Sequence, residues 1–440
     1  MPAVIHDAPP ALRAQDALRV CSDEQPGAAG FDRAVAESAN GLAAVAAWRA
    51  LARRIHWNRR PRGKHRAMHV VQAMLFPARV SFAAMKRTYT QGPGLLQRGG
   101  PGRWRQFVQQ MGLAVRHGFW PEDYYRYDLH RPELRRDAAA YLPEGEFLAV
   151  LRKLNSNSDG AILDDKRRFA AACVSLGLPH VAILASFEGG KIVEGSVEQL
   201  PKDDLYIKCT RLQCGVGVEH WRWVTERAAF ERDGKTLSGQ ALMERLARDT
   251  ESMAAADQRT ELYQKTGGYL VQQRVRNHAL LRGFSDTALC TARIVTVFPR
   301  GGAPAYASAV LRMPVGGSCV DNFSAGGLAA PIDAETGVLG SARSDDLLRH
   351  AVHMHPDRGA LITGTPLPYW KEARSLCVRA HSHFRKLGVV GWDVGLTPDG
   401  PLLLEANPFL GGDVLQMIHG LPLGRTIIPA AVMSHAKGFA

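Results

Sequence analysis

Residues 391–408 read Gly-Trp-Asp-Val-Gly-Leu-Thr-Pro-Asp-Gly-Pro-Leu-Leu-Leu-Glu-Ala-Asn-Pro and carry two carboxylates and a carboxamide at a spacing that suits a divalent cation. Pro398-Asp399-Gly400 signals a three-residue hairpin turn, with Gly400 taking the left-handed conformation of a bulge. That register sets Thr397 against Pro401 and Asp393 against Glu405. Side chains alternate across a strand, so Trp392, Val394, Leu396, Leu402, Leu404 and Ala406 share one apolar face. Gly391, Asp393, Gly395, Glu405 and Asn407 share the other. Opposed Cβ atoms lie about 5 Å apart, and facing like charges weaken a sheet unless a positive charge sits between them. Hard oxygen ligands so placed suit Mg²⁺, which combines one or two carboxylates with phosphate oxygens. A solvated outer face is the ordinary alternative. Glycines at 391 and 395, which strip bulk from the acidic face, favour the metal.

Other candidates are distributed along the chain. Leu205-Tyr206-Ile207-Lys208 is a strand delivering one lysine, followed by Gly215-Val216-Gly217; a strand-end lysine beside a glycine loop can hold phosphate oxygens. Alone this is weak, since exposed strands often carry a lysine. Asp165-Lys166 opens a helix and offers a second phosphate lysine, against the plainer reading of a surface side chain. Gln272-Gln273-Arg274-Val275 leaves an apolar strand and can present backbone donors and acceptors to a purine edge. Arg293, inside the apolar run 291–297, is costly to bury unless it is ion-paired or grips an anion. Asp321-Asn322-Phe323-Ser324-Ala325-Gly326-Gly327 is a loop whose amides can line a substrate. His350, His353 and His355 lack a completing zinc ligand and read as a surface helix. The standard nucleotide-binding glycine motifs and His-Glu-x-x-His are absent, as is any convincing Ser-His-Asp or Cys-His set.

The elements that position these residues have an α+β texture with antiparallel character. Residues 1–30 read as a poorly ordered tail and 31–150 as a helical basic region broken at 61–63 and 91–102. The segment 119–141 is expected to wrap the surface of a domain over 151–430. Within that domain, a first lobe spans about 160–275 and a second about 276–430, with a polar helical insertion over 237–263. The 440 residues are 46% hydrophobic and contain no apolar run long enough to span a membrane. Seven cysteines without a Cys-x-x-Cys pair, and a start lacking a signal-peptide pattern, suggest reduced thiols in the cytoplasm. The net charge of +13 is concentrated: between Arg49 and Trp120 there are 15 Lys or Arg and no Asp or Glu. A solvated helix layer ranks first as its explanation. Peripheral contact of residues 49–90 with an anionic membrane ranks second, and nucleic acid, for which no motif is recognisable, ranks last.

Taken in order, these pieces resemble the ATP-grasp superfamily, and within it the sugar-transfer-associated proteins related to α-L-glutamate ligases. The resemblance spans about Asp164 to Asn407, with Trp120-Pro121-Glu122-Asp123-Tyr124-Tyr125 similar to that subfamily's lead-in. It implies a fold of two α+β lobes clasping ATP, with Lys166 and Lys208 on phosphates under a closing loop at Gly215 and Gly217. It further implies a hinge at Gln272, Gln273, Arg274 and Val275 touching adenine, His278 near the ribose, and Asn322 in the substrate loop. Asp393, Glu405 and Asn407 would carry Mg²⁺, or alternatively Mn²⁺, and Arg293 would steady the transferred phosphoryl group. Such hinges often place an acid where this chain has Gln273, which weakens a ribose contact there. The activity implied is a carboxylate–amine ligase working through an acyl phosphate, in cell-surface polysaccharide or secondary-metabolite biosynthesis. A kinase acting on a hydroxyl and a non-catalytic nucleotide-binding protein at the membrane surface are the alternatives.

Overall fold

A computed structural model describes residues 39–58, 75–212, 217–257, 266–318, 320–321, 323–346 and 351–436. The tail 1–30, the break at 61–63, Gly215, Asn322 and His350 lie outside the described residues.

Two antiparallel sheets form the frame. The first contains β1 (Ala185–Glu188), β2 (Lys191–Gly195), β3 (Leu205–Cys209), β4 (Glu219–Val224), β5 (Ala229–Arg232), β6 (Lys235–Leu237) and β7 (Tyr269–Gln273). Their order is β2-β1-β7-β3-β4-β5-β6. The polar helix Gly239–Asp257 covers one face through Leu242, Met243 and Leu246. The second sheet contains β8 (Thr291–Val297), β9 (Ala305–Met313), β10 (Leu328–Pro331), β11 (Val389–Thr397) and β12 (Gly400–Asn407), in the order β10-β9-β8-β11-β12. Helix Trp370–His381 closes its rear, where Trp392, Val394, Leu396, Ile294 and Leu311 are fully buried. Polar groups there are satisfied: the Trp392 indole donates to Thr296 Oγ1, which is bonded to His381 Nδ1, and His381 Nε2 bonds to the Leu387 carbonyl.

The β11–β12 hairpin departs from the expected register at its tip. Pro398-Asp399 forms a two-residue turn, so Thr397 faces Gly400 and Leu396 faces Pro401. Gly400 has φ +117, a conformation L side chains rarely adopt. The register then shifts between Val394↔Leu403 and Asp393↔Glu405, which makes Leu404 the extra residue of a β-bulge. Asp393 therefore still opposes Glu405, as expected. Leu403, rather than Leu404, enters the core. The cause is tertiary: Leu403 N donates to the Pro179 carbonyl at 3.0 Å and its own carbonyl accepts from Val181 N at 3.1 Å, fixing its orientation.

The N-terminal region is helical, with helices Ala39–Asn58, Phe76–Thr90, Gly92–Gln97 and Arg103–His117. The first packs Val45, Trp48, Ala52 and Ile55 against helix Glu144–Asn155 and β8. Arg49, counted above among the basic residues, is a structural side chain that donates to the Tyr141 carbonyl at 2.6 Å and pairs with Glu146. Segment 119–141 is not a surface wrap: Phe119, Tyr124, Tyr125, Tyr127, Leu129 and Tyr141 make a core against Val310, Phe323 and Ala329. Its aromatic content supplies more apolar area than a surface strap would leave dry. Cys173, Cys209, Cys290 and Cys377 are buried free thiols.

Candidate functional site

A cleft of about 1230 Å³ lies between the two sheets. Its second-sheet wall is a row of charge across consecutive strands. Arg293 on β8 pairs in register with Asp393 on β11, and Asp393 with Glu405 on β12. Arg312 on β9 lies two residues beyond Val310, the cross-strand partner of Arg293, and so shares its face. Asp393, only 2% exposed, receives Arg293 through Nε and, at 3.0 Å, Nη2, and Arg312 through Nη2, also at 3.0 Å. Arg312 also bonds Thr291 Oγ1, while Thr291 donates through its hydroxyl and backbone N–H to Asp321. The two glycines have visible work. A Cβ on Gly391 would meet the Arg293 side chain at 3.2 Å, and one on Gly395 would meet Leu289 at 3.0 Å. Their absent side chains leave room for the arginine and for the apolar end of the cleft.

Burial alone would raise the Asp393 carboxyl, but the guanidiniums of Arg293 and Arg312 hold it well below the usual carboxylate range. Burial would lower Arg312, but Asp321, Asp393 and Glu405 hold it above its ordinary value. Burial lifts Asp321.

Lys208, on β3, comes from the first-sheet wall, whereas Lys166 opens a helix that packs through Phe169 and Cys173 on the core of the second sheet. Asp165 caps helix Lys166–Ser175 by accepting from Arg167 N at 3.1 Å and Arg168 N at 3.2 Å, which sets Lys166 in the first turn. Lys166 Nζ donates to the Leu212 carbonyl at 2.6 Å and approaches Glu405 Oε2 at 3.5 Å, bridging the lobes. Lys208 projects from β3 into the same space. Burial lowers its ammonium, with Glu405 opposing and Lys166 reinforcing. Gln272, Gln273 and Val275 line one end of the cleft with Tyr206, Leu289 and Leu404.

Lys166, Lys208, Gln272, Gln273, Val275, Arg293, Asp393, Glu405 and Asn407 thus meet in one cleft. Arg274 and His278 do not line it. Arg274 pairs with Asp204 at 3.1 Å, and the His278 ring accepts from Leu280 N at 3.2 Å and lies edge-on to Tyr369. Gly217 is exposed with φ +72 and also lies off the lining. Arg312 and Asp321 belong to the site but were not singled out from sequence. Arg312 interrupts Ala309-Val310-Leu311 and Met313, the same signal of an arginine in an apolar strand that marked Arg293.

Among the described residues no three His, Cys, Asp or Glu gather as a metal site. The donor set here is instead two carboxylates and a carboxamide. Asp393 and Glu405 are cross-strand partners, and the Asn407 amide nitrogen is buried without a partner. A flip of that amide would offer its oxygen instead. Glu405 and Asn407 therefore fit a hard divalent ion, and Asp393 fits as a ligand already balanced by arginine.

Two antiparallel sheets, with Lys208 on one and Asp393 and Glu405 on the other lining a cleft between them, define a two-lobed ATP-grasp architecture. The chain belongs to the sugar-transfer associated ATP-grasp family, whose model matches residues 149–426. No curated protein matches. Among solved structures, the chain is similar to the D-alanine-D-alanine ligase from Coxiella burnetii, with 14% identity over 68% of each chain and a TM-score of 0.38. It is also similar to the biotin carboxylase domain of the Hydrogenobacter thermophilus 2-oxoglutarate carboxylase, with 13% identity over 63% of this chain and 46% of that one, TM-score 0.33. For the VanG D-Ala:D-Ser ligase from Enterococcus faecalis, identity is 12% over 62% of each chain, TM-score 0.35.

Proposed function

We propose that this protein is an ATP- and Mg²⁺-dependent ligase that activates a small-molecule carboxylate as an acyl phosphate and joins it to an amine. One observation supports this reading above the rest. Lys166 and Lys208 converge with two arginines and two carboxylates, although they are scattered in sequence from Lys166 to Glu405.

The roles follow from charge and position. Tyr206, Val275, Leu289 and Leu404 give the adenine an apolar slot, while Lys166 and Lys208 meet the phosphates. Arg293 and Arg312 face the γ-phosphoryl and offset the charge that spreads over its oxygens in transfer. Asp393 holds both guanidiniums in fixed orientation, so little reorganisation accompanies the reaction. Asp393, Glu405 and Asn407 would hold Mg²⁺, which when bound neutralises phosphate charge and acts as a Lewis acid. A substrate carboxylate oxygen bonds to the γ-phosphorus as the bond to the β–γ bridging oxygen breaks and ADP departs. The amine then bonds to the acyl carbon, the carbon–oxygen bond to phosphate breaks, and the amine proton passes to solvent. The acid and amine would lie beyond the phosphates, between helix Glu144–Asn155 and residues 409–415.

Incubation with ATP, Mg²⁺ and pooled amino acids, amino sugars and small acids tests the reading through phosphate release and new masses. An amide product with one phosphate released per amide is expected. A stable phosphorylated product without amide would reject the ligase in favour of a kinase.

A further inference from the structure

Helix Arg103–His117 buries two glutamines beside Leu113 and Ala114 and exposes an apolar stripe. Its inward face carries Gln106 and Gln110, 0% and 1% exposed, bonded to the Pro101 carbonyl, Thr88 Oγ1 and Tyr125. Its outward face carries Trp104, Val108 and Val115, with Trp104 and Val115 76% and 77% exposed. At about 100° per residue these three fall on one stripe, opposite the glutamines. Helix Phe76–Thr90 buries Val80, Ala84 and Thr88 and likewise exposes an apolar stripe, Phe82, Met85 and Tyr89. The two helices are neighbours, joined through Thr88–Gln110 and Ser81–Met111. A helix on a water-facing surface normally presents polar side chains there, and an exposed apolar face marks an interaction surface.

We propose that this paired-helix face docks on an anionic lipid surface. Charge complementarity identifies the occupant. The outward stripes are bordered by exposed Arg79, Lys86, Arg105 and Arg116, and no acidic residue occurs between Arg49 and Trp120. Aromatic rings with basic neighbours suit the headgroup boundary, where the rings enter the acyl edge and the cations meet lipid phosphates. A second copy of the chain would set like charge against like charge on this face. Among the described residues no helix is long and apolar enough to cross a membrane, so the contact is peripheral. The inference is independent of the ligase reading.

Co-sedimentation of the full chain with vesicles of phosphatidylcholine, with and without phosphatidylglycerol, tests it. The wild-type chain should bind only the anionic vesicles and leave them in high salt. The double variant Lys86→Gln, Arg105→Gln should bind roughly thirtyfold more weakly, and Phe82→Ser, Trp104→Ser should also lose binding. All four positions are exposed, so thermal midpoints should not move. Wild-type indifference to anionic vesicles, or variants that bind as well as wild type, would overturn the proposal. A chain that ignores vesicles but self-associates, and is made monomeric by these changes, would assign the face to a second copy instead.

Discussion

Replacing Asp393 by asparagine should destabilise the fold as well as stop turnover, and the size of the first effect can be worked from the contacts. The carboxylate is 2% exposed and shared by two guanidiniums. Removing its charge leaves Arg293 without its carboxylate, while Arg312 keeps Asp321 at 3.5 Å. Breaking a buried ion pair costs about 3–5 kcal/mol. The amide retains one acceptor oxygen, so the lower figure, about 3 kcal/mol, is expected. Glu405→Gln is the control: Glu405 is 25% exposed and lies 3.5 Å from Lys166, and such a half-open pair is worth under about 1 kcal/mol. Urea unfolding near neutral pH should separate the two variants while both lose ATP consumption. The sign with pH is fixed. The folded-state carboxyl of Asp393 is depressed, so its contribution is complete above the ordinary carboxylate range and is lost as acid carries the pH through its folded value. The gap between wild type and Asp393→Asn should therefore narrow in acid. Equal unfolding midpoints for Asp393→Asn and Glu405→Gln would refute the buried pairing, and with it the claim that arginine balances the acidic row.

Gly391→Ala sets a methyl 3.2 Å from the Arg293 side chain and 3.3 Å from Leu410; a stability loss of about 1 kcal/mol with a much larger fall in kcat is expected. Unchanged turnover would show that the position of Arg293 is immaterial. Burial pulls His381 and His419 each down to about 4, so the folded state keeps them neutral while the unfolded chain takes up protons. Stability should therefore erode as pH falls from about 6.5 toward 4, by about 3 kcal/mol per ring at the lower end. Denaturant melts across that range check it, and a flat profile would contradict it.

The opposition of Asp393 and Glu405 was reached from a three-residue turn that the fold does not make: the two-residue turn alone would set Asp393 against Leu404, and the bulge restores the pairing with Glu405. The destination of Leu404 was not legible. Its outward turn depends on Leu403 being clamped by Pro179 and Val181, residues far away in the chain. Arg312 was as readable as Arg293, since both interrupt apolar strands, but nothing in sequence says which partner waits across the sheet. The side chains of Arg274 and His278 answer to Asp204 and Tyr369, and only folding brings those together. The helical region before about residue 150 and the strand-rich domain after it were legible, while the division of that domain into two lobes came from the family resemblance. The exposed apolar stripes of the helices were hidden because sequence periodicity gives two faces without saying which one meets water.

The extra residue at Leu404 separates the tip of the hairpin from its working end. On the near side of the bulge, pairing is dictated by the two-residue turn. On the far side it is dictated by neighbouring β8 through Arg293 and Asp393. A lengthened or shortened tip can be absorbed at that joint before it displaces either acid. The connection at 398–399 is therefore uncoupled from the placement of the acids, while insertion or loss of a single residue between Glu405 and Asn407 would turn the carboxamide away from the face that carries Glu405.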